Sequence, residues 1–115
     1  MSKRYCLTLN LKNDPDLIRQ YEEKHRAVWP EVLQSIRNSG ILDMEIYRFG
    51  TRLFMIMEAE EDFTFERKQA QDAGNAKVAE WEDLMWKYQQ PLEGAAPGEK
   101  WMLMEKLFDL KYANK

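Results

Sequence analysis

The sequence predicts an α+β domain of ferredoxin-like, split βαβ design, with an antiparallel sheet and helices on one of its faces. Three observations carry this. Apolar residues suit strands over 4–11, 41–49, 53–60 and 100–110, and follow helical spacing over 15–39 and 63–89. The resulting order is strand, helices, strand, strand, helices, strand. Finally, the second and third strands carry apolar residues on both faces: Leu42, Met44 and Ile46 against Ile41, Tyr47 and Phe49, then Leu53, Met55 and Met57 against Phe54 and Ile56. Such strands need cover on both sides. Helices of one small domain cover one side, and the most economical second cover is another copy of the chain, closing two sheets into a dimeric α+β barrel. A second face that is apolar only in patches is the alternative.

Each element has its own signals. In the first strand Tyr5, Leu7, Leu9 and Leu11 alternate with Arg4, Cys6, Thr8 and Asn10, so one face joins a core. The other lines a wet cavity or meets solvent. Asn13-Asp14-Pro15-Asp16 starts a helix over about 15–26, with Asp14 as cap and Pro15 at the first helical position. A second helix runs from Pro30 to Ser39 and stops at Gly40. Gly50-Thr51-Arg52 is a hairpin connection. Glu61-Asp62 caps a third helix over roughly 63–73, which Gly74-Asn75 breaks. A fourth helical stretch, 76–89, carries Val78, Trp81, Met85 and Tyr88 at core spacing. Pro91, Gly94, Pro97 and Gly98 mark a loop before the last strand, 100–110.

Composition bounds the function. The 115 residues make one domain, 1–115, with 44% hydrophobic and 32% charged residues and a net charge of −3. No basic run suggests nucleic acid, no apolar run reaches membrane length, and Met-Ser-Lys-Arg leads into a strand pattern rather than a secretory leader. A lone cysteine, Cys6, and a lone histidine, His25, exclude an internal disulfide and a Cys/His metal cluster. The cytoplasm is the expected location.

The chemistry-bearing stretch is Tyr21–Glu31, Tyr-Glu-Glu-Lys-His-Arg-Ala-Val-Trp-Pro-Glu. Tyr21 lies one helical turn before His25, and Trp29 lies four residues after it. Pro30 disfavours helix at Trp29 and starts a new one, so His25 sits at a helix end beside a bend. Free carbonyls there favour a protonated imidazole. A phenol, an aromatic wall and a group titrating near neutrality suit proton transfer on a sugar-sized ligand. A surface histidine beside core aromatics would give the same spacing.

These residues resemble the L-rhamnose mutarotase family, whose members share the dimeric ferredoxin-like fold. The likeness rests on Tyr21-x-x-x-His25-x-x-x-Trp29-Pro30-Glu31, Gly40, Ile46-Tyr47, Leu53-Phe54, Glu58, Glu60, Trp81, Met85, Phe108 and Leu110. It implies an isomerase that interconverts α and β anomers of a 6-deoxy-L-sugar, L-rhamnose or its competitor L-fucose, without metal or organic cofactor. By the same resemblance His25 is the proton donor, Tyr21 contacts the sugar, and Trp81 is the first of two tryptophans at the sugar site. Two positions depart: Met44 stands where the family has a second sugar-contacting tyrosine, and Glu82 where it has the second tryptophan. Glu82 either supplies a new acceptor or faces solvent. Trp86, one turn on, could restore the lost aromatic wall. Trp29 either faces the sugar or packs the bend. The segments around Tyr-Gln-Gln-Pro and Pro-Gly-Glu-Lys-Trp are particular to a branch of the family.

Mutarotation needs a proton taken from the anomeric hydroxyl and one given to the ring oxygen, so a donor and a relay suffice. His25 is assigned to the ring oxygen and Tyr21 to the hydroxyl side. Two other classes fit the fold: a non-catalytic sugar-binding module, and a different dimeric barrel enzyme such as a small monooxygenase or haem-degrading protein.

Overall fold

The computed structural model describes residues 2–112. In chain order these form β1 (Ser2–Leu11), α1 (Pro15–His25), α2 (Pro30–Asn38), β2 (Ile41–Phe49), β3 (Arg52–Glu60), α3 (Phe65–Ala73), α4 (Ala76–Trp86), β4 (Gln89–Gln90) and β5 (Met102–Leu103), followed by a 3-10 turn at Leu110–Tyr112. The sheet is antiparallel, in the order β2-β3-β1, and the free edge of β1 is shared by β4 and β5. This is the split βαβ arrangement that the periodicities imply.

Alternation in the central strands decides which face is core. Leu7, Leu9 and Leu11 of β1 are buried, as are Leu53, Met55, Met57 and Ala59 of β3. The helices lie on this face. At one end Leu11 and Leu53 pack with Tyr21, Val32, Trp81, Met85 and Tyr88; at the other Leu7, Met55, Met57 and Ala59 pack with Ile41 and Phe63. The opposite face holds half-buried Cys6, Phe54 and Ile56. Gly50 closes the β2–β3 hairpin at φ 59°, a conformation other residues adopt only with strain.

The structure corrects the sequence reading at four places. In β2 a bulge inserts Leu42 between the pairs Ile41↔Ala59 and Asp43↔Glu58. Ile41, Met44 and Ile46 therefore share the core face, and Leu42 is exposed. The third helix is capped by Thr64, whose hydroxyl accepts from the Arg67 amide, rather than by Glu61-Asp62, and begins at Phe65. The fourth helix ends at Trp86, and the chain extends into β4, where Gln89 pairs with Leu11. The last strand is not 100–110. Only Met102–Leu103 pair with β1, the Met104 amide adds one bond to the Cys6 carbonyl, and the chain then leaves the sheet. Polar Glu105-Lys106 interrupts the apolar run there, and a Lys106–Asp109 ion pair sets a local turn.

Candidate active site

Local sequence puts the site together. The Asp14 carboxylate accepts from the amides of Asp16 and Leu17, and Pro15 opens α1. Eleven residues later the helix stops, and Trp29-Pro30 starts α2 across a short elbow. Tyr21 points inward and is buried, while His25, one turn on, is half-buried. Their rings lie 4.2 Å apart, tilted by 38°. From α4, Trp81 meets the imidazole edge-on at 5.6 Å, and Trp29 packs edge-on behind Trp81 at 5.2 Å.

The protonation states follow from this packing. His25 Nδ1 lies 2.9 Å from the Tyr21 carbonyl oxygen. A carbonyl only accepts, so Nδ1 carries the proton and Nε2 of the neutral ring keeps a free lone pair. Burial pushes His25 below its ordinary value of 6.5, against the weaker pull of that hydrogen bond. The expectation of a protonated imidazole at the helix end is thus overturned: desolvation outweighs the terminal carbonyls. Burial likewise pushes the Tyr21 phenol up to about 12, the nearby Gln89 amide opposing and the Glu82 charge adding to the rise. Tyr21 is therefore a standing donor at neutral pH, not a base. Its hydroxyl has no hydrogen-bond partner in the protein, and neither does Oε1 of buried Gln89.

These groups open onto a cavity of about 660 Å³ between the sheet and α1, α2 and α4, within the size range of small-molecule sites. Tyr21, His25, Met44, Trp81 and Glu82 line it; Trp29 and Trp86 do not. Met44 reaches it from β2, beside Met55 and Met57. Trp29 backs Trp81 instead. Trp86 lies under the Lys100 ammonium, 4.7 Å from the ring centroid. The same ammonium donates to Glu82 Oε2 at 2.6 Å and to the Glu82 carbonyl at 3.2 Å. Glu82 faces solvent, as one of the two sequence alternatives had it, with its side chain 52% exposed, and its carboxylate is already bonded: it ties the 91–101 loop to α4 at the cavity rim. Gln89 and Trp101, not singled out as candidates, also line the cavity. Both lie in the Tyr-Gln-Gln-Pro and Pro-Gly-Glu-Lys-Trp segments, which the resemblance alone had set apart, the one signal that pointed toward them. Among the described residues no cluster of three His, Cys, Asp or Glu side chains could hold a metal, and no helix is long and apolar enough to cross a membrane.

A free imidazole nitrogen, an unpartnered phenol and an unpartnered amide oxygen on an aromatic wall can bind hydroxyl groups and move a proton between two of them. Comparison with known proteins agrees with such chemistry. A family profile described as L-rhamnose mutarotase matches residues 4–110. An L-fucose mutarotase of Xanthomonas campestris pv. campestris is 46% identical over 96% of this chain and 90% of its own length. A protein of Dictyostelium discoideum is 37% identical over 96% of this chain and 91% of its own. The crystal structure of an L-rhamnose mutarotase from Formosa agariphila superposes with a TM-score of 0.69 at 21% identity, covering 93% of this chain and 97% of that one.

Proposed function

The chain belongs to the L-rhamnose mutarotase family, and we propose that it exchanges the anomers of a 6-deoxy-L-hexose, L-fucose ahead of L-rhamnose, with His25 as the proton-transfer group and Tyr21 as the catalytic hydrogen-bond donor that orients the anomeric oxygen. As a family member it is an isomerase, which disfavours the oxygenase and non-catalytic readings. The order of sugars rests on the 46% identity to an L-fucose mutarotase. The observation that carries the chemistry is the Tyr21–His25 pair: Nδ1 held by the Tyr21 carbonyl, Nε2 free, and the phenol unpartnered.

The reaction moves one proton. In ring opening the C1–O5 bond breaks, O5 gains a proton and the anomeric hydroxyl loses one as the aldehyde forms. Rotation about C1–C2 presents the other aldehyde face, and closure reverses the transfers. A donor in opening is, by microscopic reversibility, the base in closure. Neutral His25 takes the anomeric proton on Nε2 and, as imidazolium, gives it to O5 as the C1–O5 bond breaks; closure runs the same transfers in reverse, so the ring ends as it began. Burial keeps the neutral form dominant and makes the imidazolium a stronger acid. Tyr21, protonated throughout, donates to and orients the anomeric oxygen. Trp81 offers an apolar face to the C–H side of the sugar. Met44 fills space without a hydrogen bond.

The working form is a homodimer in this reading. The segment after β5 stands off the domain with Leu107 95%, Phe108 70% and Leu110 78% exposed, and Phe49 on edge strand β2 is 90% exposed. The radius of gyration is 15.1 Å, against about 13 Å expected of a compact chain this long. Apolar surface of this extent fits a second copy. The lone Cys6 suits a reducing, cytoplasmic setting.

Saturation-difference proton NMR on L-fucose, L-rhamnose, D-galactose and D-ribose tests the activity directly. Transfer between α and β signals is expected for the deoxy-L-sugars and little for the others. Equal exchange on all four, or none on either deoxy sugar, overturns the reading.

A further inference from the structure

Gln89 carries the second unpartnered polar atom of the cavity wall, and nothing in the proton transfer uses it. The residue is 3% exposed, and Oε1 accepts no hydrogen bond. Its backbone is fixed: Gln89 pairs with Leu11 in β1, the neighbouring Tyr88 carbonyl accepts from the Lys12 amide at 2.9 Å, and the Tyr88 ring is fully buried. Such an anchored, desolvated amide oxygen is costly unless a donor arrives. The Gln89 side chain lies close enough to the Tyr21 hydroxyl to hold the phenol's rise in check, yet no hydrogen bond of full geometry forms there, and Oε1 keeps its lone pairs. Both residues line the cavity that also holds the imidazole, and an acceptor-only oxygen and a phenolic donor are left there buried and without partners. A hydroxyl on a neutral, polyhydroxylated ligand satisfies both.

We propose that Gln89 reads the substrate: its side-chain oxygen accepts a hydrogen bond from a ring hydroxyl of the sugar, and so discriminates sugars by the configuration at that carbon. This rests on the mutarotase reading. L-Fucose and L-rhamnose differ in the orientation of ring hydroxyls, so a fixed acceptor can favour one. A site built to bond a hydroxyl rejects a sugar that cannot supply it, because the buried acceptor is left empty.

The test compares wild type with Gln89→Met, which keeps the length and removes the acceptor. Anomer exchange is measured on L-fucose, L-rhamnose and L-fucose analogues singly deoxygenated at C2, C3 or C4, each rate divided by its uncatalysed rate. Gln89→Met is expected to lose about tenfold in kcat/KM on the preferred sugar, the worth of one hydrogen bond. It should change the fucose-to-rhamnose ratio by a similar factor at an unchanged melting temperature. On wild type, one analogue should be about tenfold worse than L-fucose, and Gln89→Met should erase that difference. A folded Gln89→Met protein with wild-type kcat/KM and ratio overturns the proposal. Should that variant not fold, wild type treating all three analogues like L-fucose overturns it. If wild type exchanges neither parent sugar, the mutarotase reading fails first, before any variant is compared, and this inference falls with it.

Discussion

His25 donates from Nδ1 to the carbonyl oxygen of Tyr21, 2.9 Å away, while its ring lies 4.2 Å from the Tyr21 ring. One residue thus fixes both the tautomer and the tilt of the other. The α-helix makes this possible, because a side chain at position i reaches back over the residue at i−4. The Tyr-x-x-x-His spacing is therefore a way of aiming a nitrogen, with the lone pair left on Nε2.

Replacing His25 by Ala or Asn removes that nitrogen or its titration. Exchange should fall by about 10²–10⁴-fold, the usual worth of a positioned acid–base group. Circular dichroism and light scattering should stay unchanged. A folded His25→Ala protein that exchanges anomers at the wild-type rate would contradict the assignment, leaving Glu82 as the next acid to test.

Burial gives His25 a pH signature. Its folded value lies below the 6.5 of the unfolded chain, so between the two values the unfolded state binds more protons. The stability this contributes is present above 6.5 and is lost as pH falls toward the folded value. Since this is the only histidine, its C–H resonance is unambiguous; the titration midpoint should lie below 6.5. Melting of His25→Phe should lack the corresponding pH dependence. A midpoint at or above 6.5 would mean that the helix end, not burial, governs the ring.

Tyr21 is raised to about 12 against an ordinary phenol near 10, so its sign is opposite. Its contribution to stability is present below pH 10 and is lost as pH rises toward 12. Tyr21→Phe should delete a high-pH step in the 295 nm absorbance titration. On activity, a loss of about tenfold marks an orienting hydrogen bond, and a loss near that of His25→Ala marks a proton relay.

Much of this was legible because single residues controlled it. Asp14-Pro15 announced α1, and Trp29-Pro30 the elbow that leaves His25 at a helix end. The alternations in β1 and β3 gave the sheet its core face. What stayed hidden depended on tertiary balance. The charge of His25 is decided by how deeply Trp81 and Tyr21 bury it, which no spacing reports. Gln89 fell inside an apparent helix, because its burial comes from a two-residue pairing with β1. The Leu42 bulge leaves no mark in an apolar run. Residues 104–110 read as a strand because Met104, Leu107, Phe108 and Leu110 are apolar, but those side chains are largely exposed beyond the sheet.

The rim contact makes a separate prediction. Lys100 is 10% exposed on its side chain, bonded to Glu82 and seated on Trp86. Lys100→Met should cost about 1 kcal/mol, at the upper end for a partly exposed pair because a cation–π contact goes with it. The exposed Arg19–Asp16 pair should cost less than about 0.5 kcal/mol when broken. Denaturant melts compare the two. Equal effects would show that the 91–101 loop is held by Trp101 and β5 alone.

The exposed arm decides the oligomeric state. Leu107, Phe108, Leu110 and Tyr112 follow a strand that pairs with β1 over only two residues, so the arm's own domain gives these side chains little cover. Edge strand β2 adds Leu42, Tyr47 and Phe49, also exposed. A monomer would leave both sets in water, at roughly 25 cal/mol per Å² of apolar area. Light scattering should give a dimer across micromolar concentrations. Ending the chain at Met104 should give a monomer with the same far-ultraviolet spectrum, because the described residues among those deleted contribute no strand and leave β1–β3 untouched. Phe108→Asp, a charge placed within the covered surface, should do the same at full length. If both variants stay dimeric, the arm is not the interface, and the apolar face of Cys6, Phe54 and Ile56 becomes the surface to test. If wild type is itself a monomer, the dimeric barrel is wrong for this protein.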